Sequence, residues 1–310
     1  MTAATAVHIL QGYGHPDYAG SLSEFGTPHA LSKSGGWLLA RPIPGLSHRD
    51  AMGCYPLFCC QDWTALPGDL EEARDRLVAV SLVADPFGRY ALGDLQRLFV
   101  DRCVPFKTFF VADLRRSASE FVSEHHRTYG ARALQAVAVE PCAQPLQFLD
   151  EWLALYDTLI ARHQLKDIKR FSAEAFRRQL TVPGLVMLRA TSEGQTVGMH
   201  LWYVQGDVVH SHLAASSPRG YELMASYALY RRAIEIFADT ARWLNFGGGA
   251  GLGADGSDGL AQFKKGWATD TRTSYFCGRI FDHKVYAAAS EAHGTAGGSY
   301  FPAYRQGEFA

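Results

Sequence analysis

The sequence predicts an α+β protein (mixed α/β) made of two units in tandem, each a mixed, mostly antiparallel sheet flanked by helices. In the first half, strand-like apolar runs precede the helical segments. In the second half, two helical segments precede three strands, a long helix and a further strand. The element order repeats in outline, which indicates an internal duplication, although no repeat is visible residue by residue.

The two units are expected to meet where prolines interrupt the chain. Residues 141–147, PCAQPLQ, contain two prolines between regular segments. We therefore expect an N-terminal domain over residues 1–143 and a C-terminal domain over residues 144–310. A chain of 310 residues that is 47% hydrophobic can bury two such cores.

The first-half elements follow from apolar runs and the turns between them. Residues 35–43 (GGWLLARPI) and 51–60 (AMGCYPLFCC) predict a hairpin with a long loop, PGLSHRD. A helix over residues 115–134 has Ser117 or Ser119 as its N-cap. The elements expected between them are a short helix with a strand over 70–85, an amphipathic helix over 91–103 and a strand over 104–114.

The second-half elements show clearer periodicity. Helices over 146–165 and 172–180 precede three strands, which the turns SEGQ and QGD separate. A long helix over 221–240 carries one apolar stripe, formed by Leu223, Tyr227, Tyr230, Ile234 and Phe237. The last expected elements are a strand over 242–249, a short helix over 258–267 and a strand over 273–281.

Composition limits the classes of function. With 30 basic and 31 acidic side chains and no long Lys or Arg run, the chain lacks a broad nucleic-acid surface, so we expect no DNA partner. The first residues do not resemble a signal peptide, and no eighteen apolar residues run unbroken, which predicts a cytoplasmic protein without a membrane span. Six cysteines form no CxxC pair and twelve histidines no HExxH motif, so we expect no metal.

The glycine-rich stretch GGGAGLGADG, residues 247–256, contains the dinucleotide-binding pattern G-x-G-x-x-G at Gly251, Gly253 and Gly256. A dinucleotide fingerprint also requires a long helix after the glycines and a second strand that ends in an acidic residue. Here a short helix follows, and no Gly-Lys-Ser/Thr motif is present. The pattern is therefore interpreted as a flexible glycine loop, and a dehydrogenase is the third and weakest hypothesis.

The residues around this loop resemble a known family. Residues 242–276, RWLNFGGGAGLGADGSDGLAQFKKGWATDTRTSYF, are similar to the C-terminal signature of the Fem-type peptidoglycan bridge aminoacyltransferases and the wider bacterial FemAB-like acetyltransferase group. Their hallmark, a glycine strand followed by F-K-x-G-[FW], occurs here as Phe263 to Trp267. A strand and a helix with a His-Arg pair, His126 and Arg127, add to the likeness. The resemblance implies tandem GNAT-like domains, the first of them degenerate.

The resemblance implies a catalytic lysine beside the glycine loop. Lys264 would act as a cation for the acceptor's phosphate or for the oxyanion, while Phe263 and Trp267 pack its helix onto the sheet on the substrate-binding side. Arg127, together with Asp113, Arg115 and His126, is a further candidate for the acceptor cleft. Lys265 is expected to be a surface residue.

Acyl transfer also needs side chains that accept and donate the proton and groups that bind the carrier's phosphates. His212 and His210 alternate on one strand, so both face one side, and His212 is the candidate base. Tyr227 is the candidate acid by resemblance, with Tyr230 as an alternative, although both also fit core packing. The junction before the long helix offers anion-binding groups for the carrier: Ser216, Ser217, Arg219 and Gly220.

The sequence therefore predicts an acyltransferase that moves an acetyl or aminoacyl group to an amine or hydroxyl of a cell-envelope, polysaccharide or metabolite acceptor. Acyl-CoA, such as acetyl-CoA, is the expected donor. The carrier loop lacks the second glycine of the acetyl-CoA pattern, so aminoacyl-tRNA stays open, and tRNA is a partner only in that case. The alternative is a non-catalytic protein that binds a ligand or partner on a degenerate tandem fold.

Overall fold

The computed structural model of the chain describes residues 10–164, 168, 170–250 and 258–308. The three glycines of the dinucleotide pattern, Gly251, Gly253 and Gly256, lie outside these residues. The described strands are β1 (Thr27–Leu31), β2 (Gly36–Pro42), β3 (Arg49–Gly53), β4 (Ala79–Ala84), β5 (Arg102–Asp113), β6 (Ala138–Pro141), β7 (Leu185–Ser192), β8 (Gln195–Gln205), β9 (Val208–Ser216), β10 (Trp243–Gly247) and β11 (Asp270–Ile280). The described helices are α1 (Pro16–Ser21), α2 (Leu66–Ala73), α3 (Leu92–Leu98), α4 (Ala118–Phe121), α5 (Glu124–Ala136), α6 (Leu149–His163), α7 (Ala173–Gln179), α8 (Pro218–Glu222), α9 (Ala225–Phe237), α10 (Gly259–Lys265) and α11 (His283–Ala292).

All the described strands join one mixed sheet in the order β1-β2-β3-β4-β11-β5-β10-β9-β8-β7-β6. Most neighbours are antiparallel, and the pairs β3–β4 and β9–β10 are parallel. Parallel neighbours need a crossover connection, which α2 supplies in the first pair and α8 with α9 in the second. The α+β fold with a mixed, mostly antiparallel sheet and flanking helices is confirmed.

The repeat inferred from element order is visible in the strand pairing. The antiparallel strands β1, β2 and β3 lead through a helix to β4, and β7, β8 and β9 lead through a helix to β10. The next strand after each set pairs with the other set. The strand β5, which follows β4, pairs with β10, and β11, which follows β10, pairs with β4. Because β5 and β11 also pair with each other, the two sets share one continuous sheet.

The boundary at residues 143 and 144 stays a prediction, and several elements pack across it. The strand β5, before the boundary, forms nine residue pairs with β11. Likewise β6 pairs with β7, and helix α5 packs against α9. The two units are therefore joined by hydrogen bonds as well as by the chain.

Helices cover both faces of the sheet. On the half that contains β7 to β10, one apolar core lies against α1, α6 and α7 and includes Trp152, Tyr156 and Tyr203. A second core on the opposite face lies against α5, α9 and α10 and includes Trp202 and Trp267. A third core packs α2 and α3 against β2 and β4. Such large apolar side chains contribute about 1.5–3 kcal/mol each when they are fully buried.

Three local predictions need correction. The helix expected over 115–134 is two helices, α4 and α5, and Ser123 caps the second by accepting a hydrogen bond from the His126 amide. The long helix expected over 221–240 is interrupted at Met224, which has a positive φ of 56°. The strand expected over 51–60 ends at Gly53. In each case side-chain capping or a turn ends an element that its apolar pattern would have continued.

Two kinds of feature are absent from the part of the chain that the structure describes. No described helix is long and apolar enough to cross a membrane. Within the same ranges, no three His, Cys, Asp or Glu side chains come together as a metal site would require.

Candidate functional site

The strands β9 and β10 separate part of the way along their length. Their parallel pairing joins Trp243 to Val208, Leu244 to Val209 and Asn245 to His210. Beyond this point β9 continues to Ser216, whereas β10 ends two residues later, at Gly247. A register shift in the β8–β9 pairing leaves His212 as the extra residue of a bulge, and a bulge bends the strand that carries it. The result is a gap beside the C-terminal part of β9.

Asn245 holds the last paired residues in place. Its Oδ1 accepts a hydrogen bond from the Gly247 amide at 3.0 Å, so its Nδ2 faces His210 Nδ1 at 3.1 Å. Asn245 is 2% exposed, and a buried amide with both ends bonded has one orientation. The turn from β10 into the glycine segment is therefore fixed by a side chain.

Two lysines bind the carbonyl oxygens of the glycine segment, residues 247–250. Lys264 Nζ donates to the Gly248 carbonyl oxygen at 2.7 Å, and Lys107 Nζ donates to the Gly249 carbonyl oxygen at 2.9 Å. Gly247 has a φ of 80°, a conformation that favours glycine. A Cβ on this residue would also lie 3.1 Å from Lys264 Nζ. The glycines thus allow the backbone to turn around a buried ammonium group.

Lys264 is held in an unusual protonation environment. Its side chain is buried, at 9% exposure. Burial and, to a smaller extent, the charge of Lys107 lower the pKa of Lys264 to about 7, against the opposing effect of Asp258. At neutral pH the group therefore exists in both protonation states. It can supply a positive charge or accept a proton without leaving its place.

Helix α10, which carries Lys264, is held by an N-cap residue and by close packing against α5. Asp258 caps the helix and accepts hydrogen bonds from the amides of Leu260 and Ala261. The ring of His126 contacts Gly266, where an added Cβ would lie only 2.0 Å from His126 Cε1. His126 Nε2 lies 2.9 Å from the Phe263 carbonyl oxygen. The glycine of the F-K-x-G-[FW] motif is therefore required by a histidine ring.

Aromatic rings surround this helix. Phe263 contacts Tyr227 at 4.9 Å and Tyr230 at 4.9 Å between ring centroids, both edge to face. Trp267 is buried and packs against His126 at 5.0 Å. The structure thus brings together Lys264, Phe263, Trp267 and Tyr227. Trp267 lies inside the aromatic cluster, while Tyr227 is half-buried, with its hydroxyl 3.3 Å from His125 Nε2.

A buried polar chain on the same face was not predicted from the sequence. His200 Nε2 lies 2.8 Å from Ser211 Oγ. Ser211 also bonds to the Tyr230 hydroxyl, and the charge of Lys264 adds to burial in lowering the pKa of His200. His200 Nδ1 has no hydrogen-bond partner among the described residues. The available signal was a histidine in an otherwise apolar strand segment, VGMHLWYV.

The two histidines of β9 lie against the other core. Both contact the Tyr13 ring, so they face one side as expected. His212 Nδ1 lies 3.2 Å from the Tyr13 hydroxyl, and its Nε2 lies 3.1 Å from Gln179 Oε1. Burial lowers the pKa of His212 to about 3, which leaves a neutral ring with both nitrogens engaged. The role of His212 as a base stays a prediction, and its contacts are those of a packed core residue.

The predicted carrier junction is bonded within itself. Ser217 caps α8 by accepting a hydrogen bond from the Gly220 amide at 3.0 Å, and its amide donates to the Val197 carbonyl oxygen. Arg219 is exposed and pairs with Glu222 at 2.8 Å. Ser216 is buried. A Cβ on Gly220 would lie 2.0 Å from the Val197 carbonyl oxygen, so only glycine fits there.

The first-half candidates divide into two groups. His126 joins the aromatic cluster, as described above. Arg127 donates to the carbonyl oxygens of Ser119 and Val122 and so holds the turn between α4 and α5. Asp113 pairs with Arg115 at 2.6 Å at the end of β5. These contacts join residues that are close in the sequence. Among the described residues, Arg127, Asp113 and Arg115 make no contact with Lys264.

Comparisons with known proteins agree with this architecture. Residues 109–265 match the family profile described as an acetyltransferase (GNAT) domain. The chain is similar to the crystal structure of FemX, with a TM-score of 0.67 and 14% identity over 87% of this chain and 92% of that chain. It is also similar to the C-terminal domain (DUF2156) of a putative lysylphosphatidylglycerol synthetase from Agrobacterium fabrum, with a TM-score of 0.61 and 13% identity over 90% of each chain.

A third solved structure, L-PGS from Bacillus licheniformis, has a TM-score of 0.54 and 15% identity over 87% of this chain and 93% of that chain. At these identities the likeness concerns the fold. No curated protein sequence matches the chain. The matched residues 109–265 run from β5 to α10 and include both sides of the gap between β9 and β10.

Proposed function

The chain belongs to the acetyltransferase (GNAT) domain family, and from this membership we propose that it transfers an acyl group from a carrier to an amine or hydroxyl of a small-molecule or glycan-precursor acceptor. The observation that carries the proposal is Lys264, which is buried and bonded to the glycine segment that follows β10. A buried ammonium group is costly unless it serves a site or a partner, so its position favours a functional role.

The chemistry needs a positive group where the carbonyl oxygen becomes negative. The acceptor's lone pair attacks the carbonyl carbon, and the oxygen gains charge. The acceptor gives up one proton, the carbonyl re-forms as the bond to the carrier breaks, and the carrier leaves with a proton. Lys264 would stabilise the charged oxygen, because a cation in a poorly solvated site acts more strongly than one in water. Tyr227 is proposed as the proton donor to the carrier, and the buried chain of Tyr230, Ser211 and His200 offers a second route for the proton.

The donor follows from the family and from the sequence resemblance. The GNAT family supports acyl-CoA, whereas the similarity to Fem-type aminoacyltransferases supports aminoacyl-tRNA. We propose acyl-CoA, bound along the gap with its phosphates near Ser216, Ser217, Arg219 and Gly220. Binding there requires Arg219 to exchange its partner Glu222 for a phosphate, and such an exposed pair is weak, about 0–1 kcal/mol.

The test compares Lys264→Met with Lys265→Met, which changes the exposed neighbouring lysine of the same helix. Slow transfer to water is measured as release of free CoA from acetyl-CoA, and as loss of the aminoacyl ester from charged tRNA. We expect Lys264→Met to reduce release from one donor by about 10²–10³-fold, a typical effect of removing one oxyanion donor. Equal rates in the wild type and Lys264→Met would reject the catalytic role of this lysine.

A second candidate function is supported by the bonds within the carrier junction. Because the Gly220 amide is bonded to Ser217 and Arg219 to Glu222, the junction is complete without a phosphate. We therefore keep the alternative of a non-catalytic binding protein on this fold. It predicts that neither acetyl-CoA nor charged tRNA raises the melting temperature, whereas the acyltransferase proposal predicts a rise with one of them.

A further inference from the structure

A second pocket lies on the opposite side of the β9–β10 pair from Lys264, between the two strand sets. It is a cavity of about 250 Å³, lined by residues that follow β4 and by residues at the start of β9. Asp85 and His210 lie in its wall, and Trp63 and Phe87 supply aromatic surface. A cavity of this size is close to the lower end of small-molecule pockets, about 300 Å³, and its wall combines polar and apolar side chains.

Two polar atoms of the lining residues have no hydrogen-bond partner in the described part of the chain, His210 Nε2 and Gln205 Oε1. His210 is 1% exposed, and its Nε2 has no hydrogen-bond partner among the described residues. The Asn245 Oδ1 is occupied by the Gly247 amide, so Nδ2 is the group that faces His210 Nδ1, and Nδ2 can only donate. Burial lowers the pKa of His210, which keeps the ring neutral. The ring proton therefore sits on Nε2, and His210 presents an unused N–H donor in the pocket wall.

A carboxylate lies in the same wall. Asp85 is 5% exposed, and its Oδ1 accepts a hydrogen bond from the Phe87 amide at 2.9 Å. Its Oδ2 accepts from the Cys59 thiol at 3.5 Å, and burial raises the pKa of Cys59 so that this thiol stays protonated. Each carboxylate oxygen can accept a further hydrogen bond. The wall thus combines a free donor with unused acceptors.

The chemistry of the wall selects the ligand. A hydroxyl group can accept from His210 Nε2 and donate to Asp85, and polyhydroxylated molecules supply several such groups. The ionisable side chains in the wall besides His210 and the thiols are Asp85, Asp207 and Arg89, so the pocket disfavours an anion. Trp63 and Phe87 add apolar ring surface to the wall, which suits the C–H groups of a sugar ring. We propose that this pocket binds an uncharged polyhydroxylated group of the size of one sugar ring.

The pocket is joined to the Lys264 site through bonded residues. His210 bonds to Asn245, and Asn245 bonds to the amide of Gly247. The next residue, Gly248, accepts the hydrogen bond from Lys264. The claim that this pocket is a subsite for the acyl acceptor rests on the proposed function. The claim that the pocket binds a sugar does not depend on it.

The test measures binding of glucose and myo-inositol to the wild-type chain by saturation-transfer NMR, with glucuronate as the anionic counterpart. We expect the uncharged probes to bind weakly and glucuronate more weakly still. Asp85→Asn is expected to weaken binding about 10-fold or more, because hydrogen bonds to charged groups contribute about 1.5–3 kcal/mol. Asp94→Asn, which changes an exposed carboxylate on α3, is the matched control and should bind as the wild type does.

Wild-type crystals soaked with glucose keep the proposal testable if Asp85→Asn does not fold. They should show the sugar within hydrogen-bond distance of His210 Nε2 and Asp85. A sugar elsewhere on the chain, no binding of either uncharged probe, equal binding by Asp85→Asn, or tighter binding of glucuronate would each overturn the proposal. Sugar binding without release from either acyl donor would support the pocket and reject the acyl-transfer function, so the two failures are distinct.

Discussion

Lys264 keeps its ammonium nitrogen inside the protein, 2.7 Å from a backbone oxygen and near a second lysine, Lys107. The sequence motif predicted which lysine to examine. It did not predict the burial, because F-K-x-G-[FW] is a short pattern, and burial depends on how α10 meets the glycine segment. The exposed Lys265, one residue away, shows that adjacent lysines of one helix can have opposite environments.

The low pKa of Lys264 predicts a specific pH dependence of stability. In the folded state the pKa is about 7, and in the unfolded chain it returns to its usual value of 10.5. Between these values the unfolded state binds more protons, so stability increases with pH, by up to about 1.4 kcal/mol per pH unit. Buried thiols such as Cys54, whose pKa burial raises to about 12, act in the opposite direction and equally in every variant. In urea unfolding at pH 7 and pH 9, the wild type and Lys265→Met should therefore show this gain relative to Lys264→Met. Lys264→Met should lack it, and an equal gain in that variant would contradict the low pKa.

Gly266 predicts a second effect at a single residue. Replacing it with alanine would put a Cβ 2.0 Å from His126 Cε1, and such overpacking costs about 1–3 kcal/mol. Gly259→Ala is the control in the same helix, because its Cβ meets nothing within 4 Å. Thermal unfolding should show a loss for Gly266→Ala and none for Gly259→Ala. The double variant Gly266→Ala/His126→Ala should be less destabilised than the sum of the single changes, and strict additivity would argue against the contact.

Single residues also show where sequence reasoning stops. Lys264, Phe263 and Trp267 were identified through a motif, and the structure brings them together. His200 and Asn245 were missed, since nothing in the local pattern separates a histidine or asparagine bonded across strands from one that is merely tolerated. His212 was named for its position on the strand, yet the bulge and its two hydrogen bonds place it in a packed core.

At the scale of elements, the glycine segment and α10 form one unit. Asp258 joins them, since it accepts hydrogen bonds from two amides of α10 and from the Ala250 amide at 3.0 Å. Burial alone would raise the pKa of Asp258, but these amides and Lys107 lower it overall. The carboxylate is therefore favoured over the acid, and its contribution to stability is present at neutral pH and is lost as the pH falls through the lowered pKa.

Removal of this cap should loosen the site. Asp258→Ala is expected to lose about 1–2 kcal/mol of stability, as other N-cap replacements do, and to speed hydrogen exchange of the Ala250 amide. Asp282→Ala removes the cap of α11, where Asp282 accepts from the Val285 amide, and serves as the matched control. Asp258→Ala should also slow donor hydrolysis. Asp282→Ala should lose a similar amount of stability and hydrolyse the donor at the wild-type rate. Slower hydrolysis in both variants would assign the effect to general destabilisation.

Most elements were predicted from periodicity, and their ends were not. The apolar stripe of the long helix is correct at Tyr230, Ile234 and Phe237, which are buried. The break at Met224 has no sequence signal, because methionine is a good helix former and a positive φ there depends on the surrounding packing. The cap at Ser123 was missed because Ser117, Ser119 and Ser123 all lie within seven residues and offer similar N-cap signals.

At the scale of the whole molecule, the exchange of β5 and β11 unites the two strand sets. The tandem order could be inferred because it depends on local patterns. The exchange could not be inferred, since β5 and β11 are both long strands and nothing in the sequence of either selects its neighbours. Pairing choices of this kind depend on contacts between distant parts of the chain.

The exchange predicts how the halves behave when they are separated. Fragments 1–143 and 144–310 each lose a strand that pairs on both sides, because β5 lies between β11 and β10. We expect neither fragment to unfold cooperatively alone, and a mixture to recover a cooperative transition by circular dichroism. Cooperative unfolding of fragment 144–310 alone would support the predicted boundary as a true domain boundary. The full chain is the control.

The pairing of β4 with β11 also affects how the protein is made. Ala84 and Tyr275 are partners across these strands although they stand about 190 residues apart. While a ribosome translates the intervening codons, β4 has an open edge on one side, and open edges recruit other strands. The nascent chain therefore keeps this edge open until β11 has been made, and its yield in cells will depend on chaperones and on the rate of translation.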